Sequence, residues 1–144
     1  KVIGNQGVTP IDSNFSFGYF EEVLEKYSNK HIKKLQFAYD SISGFQNGYF
    51  QDTLLCAGIL PYRKISKLTR EEREKLYNCM VNIIKNATEL GGSTDEVDIF
   101  GHPGGYKRMI GTHIKNRICP RCGNIFISKT ILGTPSYFCT NCQQ

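Results

Sequence analysis

Four cysteines near the carboxyl end have spacing suited to metal chemistry. Two residues lie between Cys119 and Cys122, two lie between Cys139 and Cys142, and sixteen residues separate the two pairs. Each Cys-x2-Cys places two thiolates on one tight turn, and two such turns supply the tetrahedral sulfur set that Zn²⁺ prefers. Four protein ligands leave no position for substrate, so the pattern predicts one structural Zn²⁺. The alternative is two disulfides, but the spacing and the rest of the chain favour a reducing compartment and therefore the metal.

The insert between the cysteine pairs predicts a β-hairpin. Apolar residues flank the turn-forming stretch Gly133-Thr134-Pro135, and they are Ile125, Ile127, Ile131, Tyr137 and Phe138. A module of about thirty residues cannot bury an adequate core, so the metal must supply much of its stability.

The preceding residues predict a mainly helical domain. Apolar positions at three- and four-residue spacing indicate a helix from about Phe15 to Tyr27, followed by shorter helices at about 30–39 and 49–57. Thr69 and Glu72 form a capping box that begins a long helix ending near Leu90. Its expected buried stripe is Leu76, Met80, Ile83, Ala87 and Leu90. Cys56 and Cys79 lie in apolar helical surroundings and are predicted to be buried small hydrophobic residues.

The turn before the third helix could bind an anion. Gly44 and Gly48 permit unusual backbone angles, and Asn47 offers an amide donor. A helix start presents free N–H groups and the positive end of the dipole, which suits a phosphate. An ordinary connection between helices is the alternative interpretation of such a turn.

Charge points to the same class of partner. The formal net charge is +5, and no acidic residue follows Asp98. The charged side chains after Asp98 are all basic, namely Lys107, Arg108, Lys115, Arg117, Arg121 and Lys129. A basic metal module is an electrostatic footprint for nucleic acid. No run of about 18 apolar residues occurs, so no membrane partner is expected.

The order of these features resembles the carboxyl-terminal half of the formamidopyrimidine-DNA glycosylase / endonuclease VIII family. The similarity extends over about residues 7–143. It rests on Ile32-Lys33-Lys34-Leu35, Gly44-Phe45-Gln46-Asn47, Leu54-Leu55-Cys56-Ala57-Gly58-Ile59-Leu60-Pro61, Gly91-Gly92-Ser93, Pro103-Gly104-Gly105-Tyr106 and the two cysteine motifs. The resemblance implies a four-helix helix–two-turn–helix domain followed by a zinc finger, both holding duplex DNA around a damaged base or abasic site.

The resemblance also implies site residues. Asn47 and Lys33 would contact backbone phosphate, together with Gly44 and Gln46 of the turn. The loop Ser93 to Tyr106, including Gly104 and Gly105, would close over the everted base. The family usually has an Arg at the tip of the zinc hairpin, where this chain has Thr134. Lys129 and Arg121 are the candidates to compensate.

The expected organisation is a linker at 1–14, a helix–two-turn–helix domain at 15–114 and a four-cysteine finger at 115–144. The family's nucleophile is an amino-terminal Pro that forms a Schiff base, whereas this chain begins Lys1-Val2. We therefore expect the DNA-binding part of a bifunctional glycosylase and abasic-site lyase of base-excision repair, inactive by itself. It is expected to be monomeric and to work in a bacterial cytoplasm at the nucleoid. The alternative is a non-catalytic zinc-ribbon module that binds nucleic acid or protein.

Overall fold

The computed structural model describes residues 8–38, 40–43, 47–92, 101–111, 114 and 117–144. Three α-helices are present in this part: α1 (Phe17–Lys26), α2 (Asn47–Ala57) and α3 (Arg70–Glu89). Two 3₁₀ helices lie between them, at Ile32–Phe37 and Ile65–Lys67. Strands β1 (Ile127–Ile131) and β2 (Thr134–Phe138) complete the described part as an antiparallel hairpin. The prediction of a mainly helical chain with a hairpin finger is confirmed.

The helix boundaries follow from capping chemistry. The Ser16 hydroxyl accepts from the backbone N–H of Tyr19 and begins α1. At α3 the predicted capping box is present in both directions, with Thr69 Oγ1 accepting from Glu72 N at 3.1 Å and Glu72 Oε1 accepting from Thr69 N at 2.9 Å. Each such cap satisfies backbone donors that the helix leaves free.

The second predicted helix is shorter than expected and is a 3₁₀ helix. Its first backbone donors are used outside the segment, because Ile32 N donates to Arg63 O and Lys33 N to Pro61 O. Lys34 N then bonds back to His31 O, three residues earlier. Ala38 N likewise bonds to Leu35 O, so the hydrogen bonds span three residues as in a 3₁₀ helix, a distinction that hydropathy spacing does not carry.

The hairpin forms as predicted, but its turn lies one position earlier. Ile131 pairs with Thr134, so the loop is Leu132-Gly133 alone. Both loop residues have positive φ, 53° for Leu132 and 82° for Gly133, which is typical of the two-residue turns that match the strand twist. Thr134 and Pro135 therefore belong to β2.

Two clusters of buried side chains form the core. The larger cluster joins α1, α2, α3 and the 3₁₀ segments, with Phe20, Phe50, Leu76 and Met80 fully buried. The smaller cluster consists of Leu55, Ile110, Cys119, Phe126 and Cys139, and so joins α2 to the finger. The predicted α3 stripe is buried except for Leu90, which is 45% exposed. That residue follows the end of α3, where the turn to Gly91 directs it outward.

Cys56 and Cys79 form a disulfide between α2 and α3. The prediction that both are simple buried hydrophobic residues is therefore wrong. Their Cα atoms are 6.0 Å apart, within the range that a disulfide spans. Because the two helices pack side by side, residues 23 apart in sequence face each other. Sequence spacing alone does not show this juxtaposition.

Part of the expected linker packs on the helical domain. Val8 forms a parallel bridge with Ile42, and Val8 N donates to Ser41 O at 3.2 Å. The predicted domain boundaries stay predictions. Within the described part, none of the helices has the length and apolar character needed to cross a membrane.

Candidate zinc centre and nucleic-acid interface

The four predicted cysteine ligands converge. Their sulfur atoms all lie within 4.8 Å of one another. Cys119 Sγ is 3.9 Å from Cys142 Sγ, and Cys122 Sγ is 3.5 Å from Cys139 Sγ. Tetrahedral zinc with bonds of about 2.3 Å requires sulfur separations of about 3.8 Å. The donor set therefore fits one structural Zn²⁺ with a closed ligand shell.

The surroundings shift the pKa values of two cluster thiols in opposite directions. The backbone N–H of Asn124 stabilises the thiolate and lowers the pKa of Cys122 to about 6. Desolvation and the neighbouring thiols raise the pKa of Cys142 to about 12. Zinc must displace protons from such thiols, so its binding is coupled to pH.

The finger is fixed to the end of α2 by its last residues. Gln143 accepts from Cys139 N at 2.8 Å and donates from its amide to Ile59 O at 2.7 Å. Gln144 and Gly58 add a backbone hydrogen bond of 2.8 Å. The zinc-binding turn is thus attached directly to the segment that follows α2.

The hairpin and the turn between Cys119 and Cys122 also contact α2. Tyr137 N donates to the side-chain oxygen of Gln51. Arg121 donates to Leu55 O at 2.8 Å and to Cys56 O at 3.2 Å. These carbonyls are at the negative end of α2, where a cation is favourable. Arg121 therefore has a structural partner in the fold, and its phosphate contact stays a prediction.

The amino-terminal end of α2 carries the predicted anion site. Asn47 is its first residue, and the side chain of Asn47 lies outside the described part, as do Gly44 and Gln46. At Gly48 an added Cβ would collide with the Arg108 side chain. Glycine is therefore needed for Arg108 to lie against this helix end.

Lys33 is placed inside the domain. Its side chain is fully buried in the described structure, and burial lowers its pKa to about 8. A desolvated ammonium group is a strong ligand for an anion when one is admitted, but it is costly otherwise. The role of Lys33 as a phosphate contact stays a prediction.

The carboxyl-terminal end of the predicted lesion loop is hydrogen-bonded to the end of α3 and the turn after it. Gly105 N donates to Leu90 O at 2.7 Å and Tyr106 N donates to Gly92 O at 2.9 Å. A side chain at Gly104 would collide with the Gly92 carbonyl, so this approach requires glycine. Ser93 and the rest of residues 93–100 lie outside the described part.

Asp52 is a site-forming residue that the sequence patterns do not reveal. Its buried carboxylate accepts from Tyr106 Oη at 2.7 Å, from Met109 N at 3.0 Å and from Ile110 N at 3.2 Å. Burial raises the pKa of Asp52, and the three donors oppose that shift. The one available signal was an acidic residue on the apolar face of a predicted helix. Tyr106 thus faces the interior and holds the carboxyl-terminal end of the loop against α2.

Comparisons with known proteins agree with this arrangement. Residues 6–98 match the formamidopyrimidine-DNA glycosylase H2TH domain, and residues 119–144 match a zinc finger found in FPG and IleRS. The chain is 29% identical to the formamidopyrimidine-DNA glycosylase of Prochlorococcus marinus strain MIT 9312, over the whole chain and 50% of that protein. The Thermus thermophilus enzyme of that name is 30% identical, over 95% of this chain and 53% of its own length.

Solved structures show the same fold. The crystal structure of MutM (Fpg) from Thermus thermophilus aligns with a TM-score of 0.87 and 29% identity, covering 96% of this chain and 54% of that one. Lactococcus lactis Fpg in complex with abasic-site DNA aligns with a TM-score of 0.86 and 26% identity, covering 99% and 53%. The chain spans about half the length of the relatives it matches. With the H2TH match extending over more than half of its residues, the chain belongs to the formamidopyrimidine-DNA glycosylase family.

Proposed function

We propose that this chain is the damaged-DNA-binding part of a bifunctional DNA glycosylase and abasic-site lyase of base-excision repair. The observation that carries the proposal is the attachment of the zinc finger to α2, the helix that begins at Asn47. Gln51, Leu55 and Ile59 link α2 and its following segment to the finger. Two DNA-binding modules thus have a fixed relation, as is needed to grip a duplex on both sides of a lesion.

The division of labour follows from family membership and coverage. Related structures of Lactococcus lactis Fpg hold abasic-site DNA and Fapy-dG DNA. We assign duplex positioning to this chain and the Schiff-base chemistry to the half of the relatives' length that it does not cover. Extrusion of the damaged nucleotide makes the glycosidic bond accessible to that chemistry. A bacterial nucleoid is the proposed place of action, and a monomer the proposed form.

The proposed contacts are the helix–two-turn–helix turn and the finger. Asn47, Gly44 and Gln46 would bind phosphate at the start of α2, beside Arg108, and Lys129 would bind it from the hairpin. Residues 93–106 would close over the everted base. Supporting these roles, α2 offers the positive end of its dipole at Asn47, and Lys129 is exposed on β1.

Asn47→Ala tests the proposal. We expect duplex containing an abasic-site analogue to bind about 1.5–3 kcal/mol more weakly, the scale of a hydrogen bond to a charged partner. Fluorescence anisotropy at fixed salt would measure this, with Asn82→Ala on the exposed face of α3 as the matched control. Unchanged affinity in Asn47→Ala would refute the phosphate role.

Borohydride trapping on abasic DNA tests the division of labour. The 144-residue chain should give no covalent adduct under conditions that trap a full-length formamidopyrimidine-DNA glycosylase. An adduct with this chain alone would show that its own amines perform the lyase step.

A further inference from the structure

A second basic surface lies at the junction of the helical domain and the hairpin tip. It is an open cavity of about 280 Å³, which we call the lysine cavity. Its lining residues are Asn29, Lys30, His31, Lys34, Lys64 and Leu132. Leu132 comes from the turn of the finger, and the other five come from the helical domain. None of these residues belongs to the turn at Asn47 or to the zinc site.

The backbone explains why the three lysines converge. His31 and Lys64 form an antiparallel bridge, and Ile32 N donates to Arg63 O at 2.8 Å. This pairing places two segments more than thirty residues apart in sequence side by side. Lys34 follows one turn later in the 3₁₀ helix, on the side of His31. The bridge between His31 and Lys64 therefore brings Lys30, Lys34 and Lys64 to one cavity.

The positive charge of the lysine cavity is left without a carboxylate in the described part of the chain. None of the cavity lysines takes part in the ion pairs of the described residues. These pairs are Lys26–Asp40, Arg63–Glu72, Arg70–Glu74 and Arg73–Glu21. Three lysines around one cavity, with no carboxylate among its lining residues, give a positive local potential that favours an anion.

The lining indicates which kind of anion fits. Leu132 is the only aliphatic side chain among the lining residues, and none of them is a Phe, Tyr or Trp on which a base could stack. Lysine is a compact point charge that binds phosphate oxygens without reading bases. The cavity is open toward solvent and bordered by two structural modules, which suits a phosphate belonging to an extended chain.

We propose that the lysine cavity binds a backbone phosphate of duplex DNA, through Lys30, Lys34 and Lys64. This inference rests on the proposed function and adds a contact on the side of the hairpin tip. Lys129 extends the same basic surface, because its ammonium group lies 5.9 Å from the ring centre of Tyr62, two residues before Lys64. Sequence-independent phosphate contacts of this kind set register and affinity but not lesion choice.

The test compares two double variants of equal charge. Lys34→Gln with Lys64→Gln removes two cavity cations, and Lys75→Gln with Lys85→Gln removes two exposed cations from α3. Anisotropy titrations on intact and abasic-analogue duplexes, over a range of salt concentrations, give the slope of log K against log salt. The cavity variant should lose about 0.9 from the magnitude of the slope, which is the contribution of one phosphate contact. The α3 variant should keep the wild-type slope.

Further measurements separate the possible outcomes. Lys34→Arg with Lys64→Arg should keep the slope, and circular dichroism and zinc content should show that every variant is folded. Equal slopes in the cavity and α3 variants would overturn the proposal. So would inorganic phosphate binding that the cavity variant abolishes while the duplex slope stays unchanged, because the site would then take a free ion only. If wild-type protein itself fails to prefer the abasic duplex, the proposed function fails, whereas the cavity is judged only by the slopes.

Discussion

Asp52 shows how one buried carboxylate organises a binding surface. It lies in α2, and it holds a hydroxyl and two backbone N–H groups from residues 106–110. The same segment contains Arg108, which lies against Gly48 at the start of the helix. These hydrogen bonds therefore hold residues 106–110, and with them Arg108, in place beside the turn that would bind phosphate.

Asp52→Ala and Tyr106→Phe should separate the contribution of the Tyr106 hydroxyl from that of the two backbone N–H donors. Tyr106→Phe removes one hydrogen bond to a charged acceptor and should cost about 1.5–3 kcal/mol of the free energy of unfolding. Asp52→Ala leaves the Tyr106 hydroxyl and two backbone donors without their acceptor, so a larger loss is expected. Urea denaturation followed by circular dichroism measures both. If Asp52→Ala were no more destabilising than Tyr106→Phe, the backbone contacts would contribute little.

Residues differ in how far sequence reveals them. The zinc ligands are predictable, because the chemistry itself fixes the Cys-x2-Cys spacing. Asp52 is not, because its partners are 54 to 58 residues away and no local pattern announces them. The phosphate roles of Lys33 and Arg121 came from resemblance, and the structure gives both side chains surroundings within the fold that spacing does not indicate.

The elements that depend on local signals are the ones that sequence predicts well. α3 has its capping box and its apolar stripe within one segment, and it forms as expected. The segment predicted as a helix at 30–39 is instead a short 3₁₀ helix that pairs with residues 61–63. The disulfide between α2 and α3 is likewise a product of packing. Sequence patterns therefore fail for the elements whose structure depends on partners that are distant in the sequence.

The disulfide between α2 and α3 should stabilise the helical domain. A cross-link that closes a loop of about this length contributes about 3 kcal/mol by restricting the unfolded chain. Zinc-loaded protein prepared under oxidising conditions should contain no titratable thiol at Cys56 or Cys79, as mass spectrometry after alkylation would show. Cys56→Ala with Cys79→Ala should lower the urea midpoint and make it independent of reductant. Alkylation of both cysteines in unreduced, folded protein would contradict the bridge.

At the scale of the whole molecule, the finger and the helical domain share a hydrophobic cluster. Leu55 of α2 packs with Cys119, Phe126 and Cys139 of the finger. Gln143 and Gln144 add hydrogen bonds to the residues that follow α2. The larger cluster, in contrast, is built from the helical domain. The metal should therefore control the finger and its attachment, while most of the helical core folds without it.

Removal of zinc tests this unequal dependence. Metal analysis should find one Zn²⁺ per chain, and a chelator should unfold the hairpin because the small cluster around Leu55 cannot by itself hold a module of about thirty residues. The helical circular dichroism signal should largely persist, since α1 and α3 bury their apolar faces in the larger cluster. Duplex affinity should fall, because the hairpin and its cations lose their fixed position relative to α2. Cys119→Ser with Cys122→Ser should reproduce the apo protein, and Ser128→Ala on β1 serves as the control that leaves the ligands intact. A finger that stays folded and bound to duplex after complete removal of the metal would show that docking on Leu55, rather than zinc, holds the molecule in its DNA-binding form.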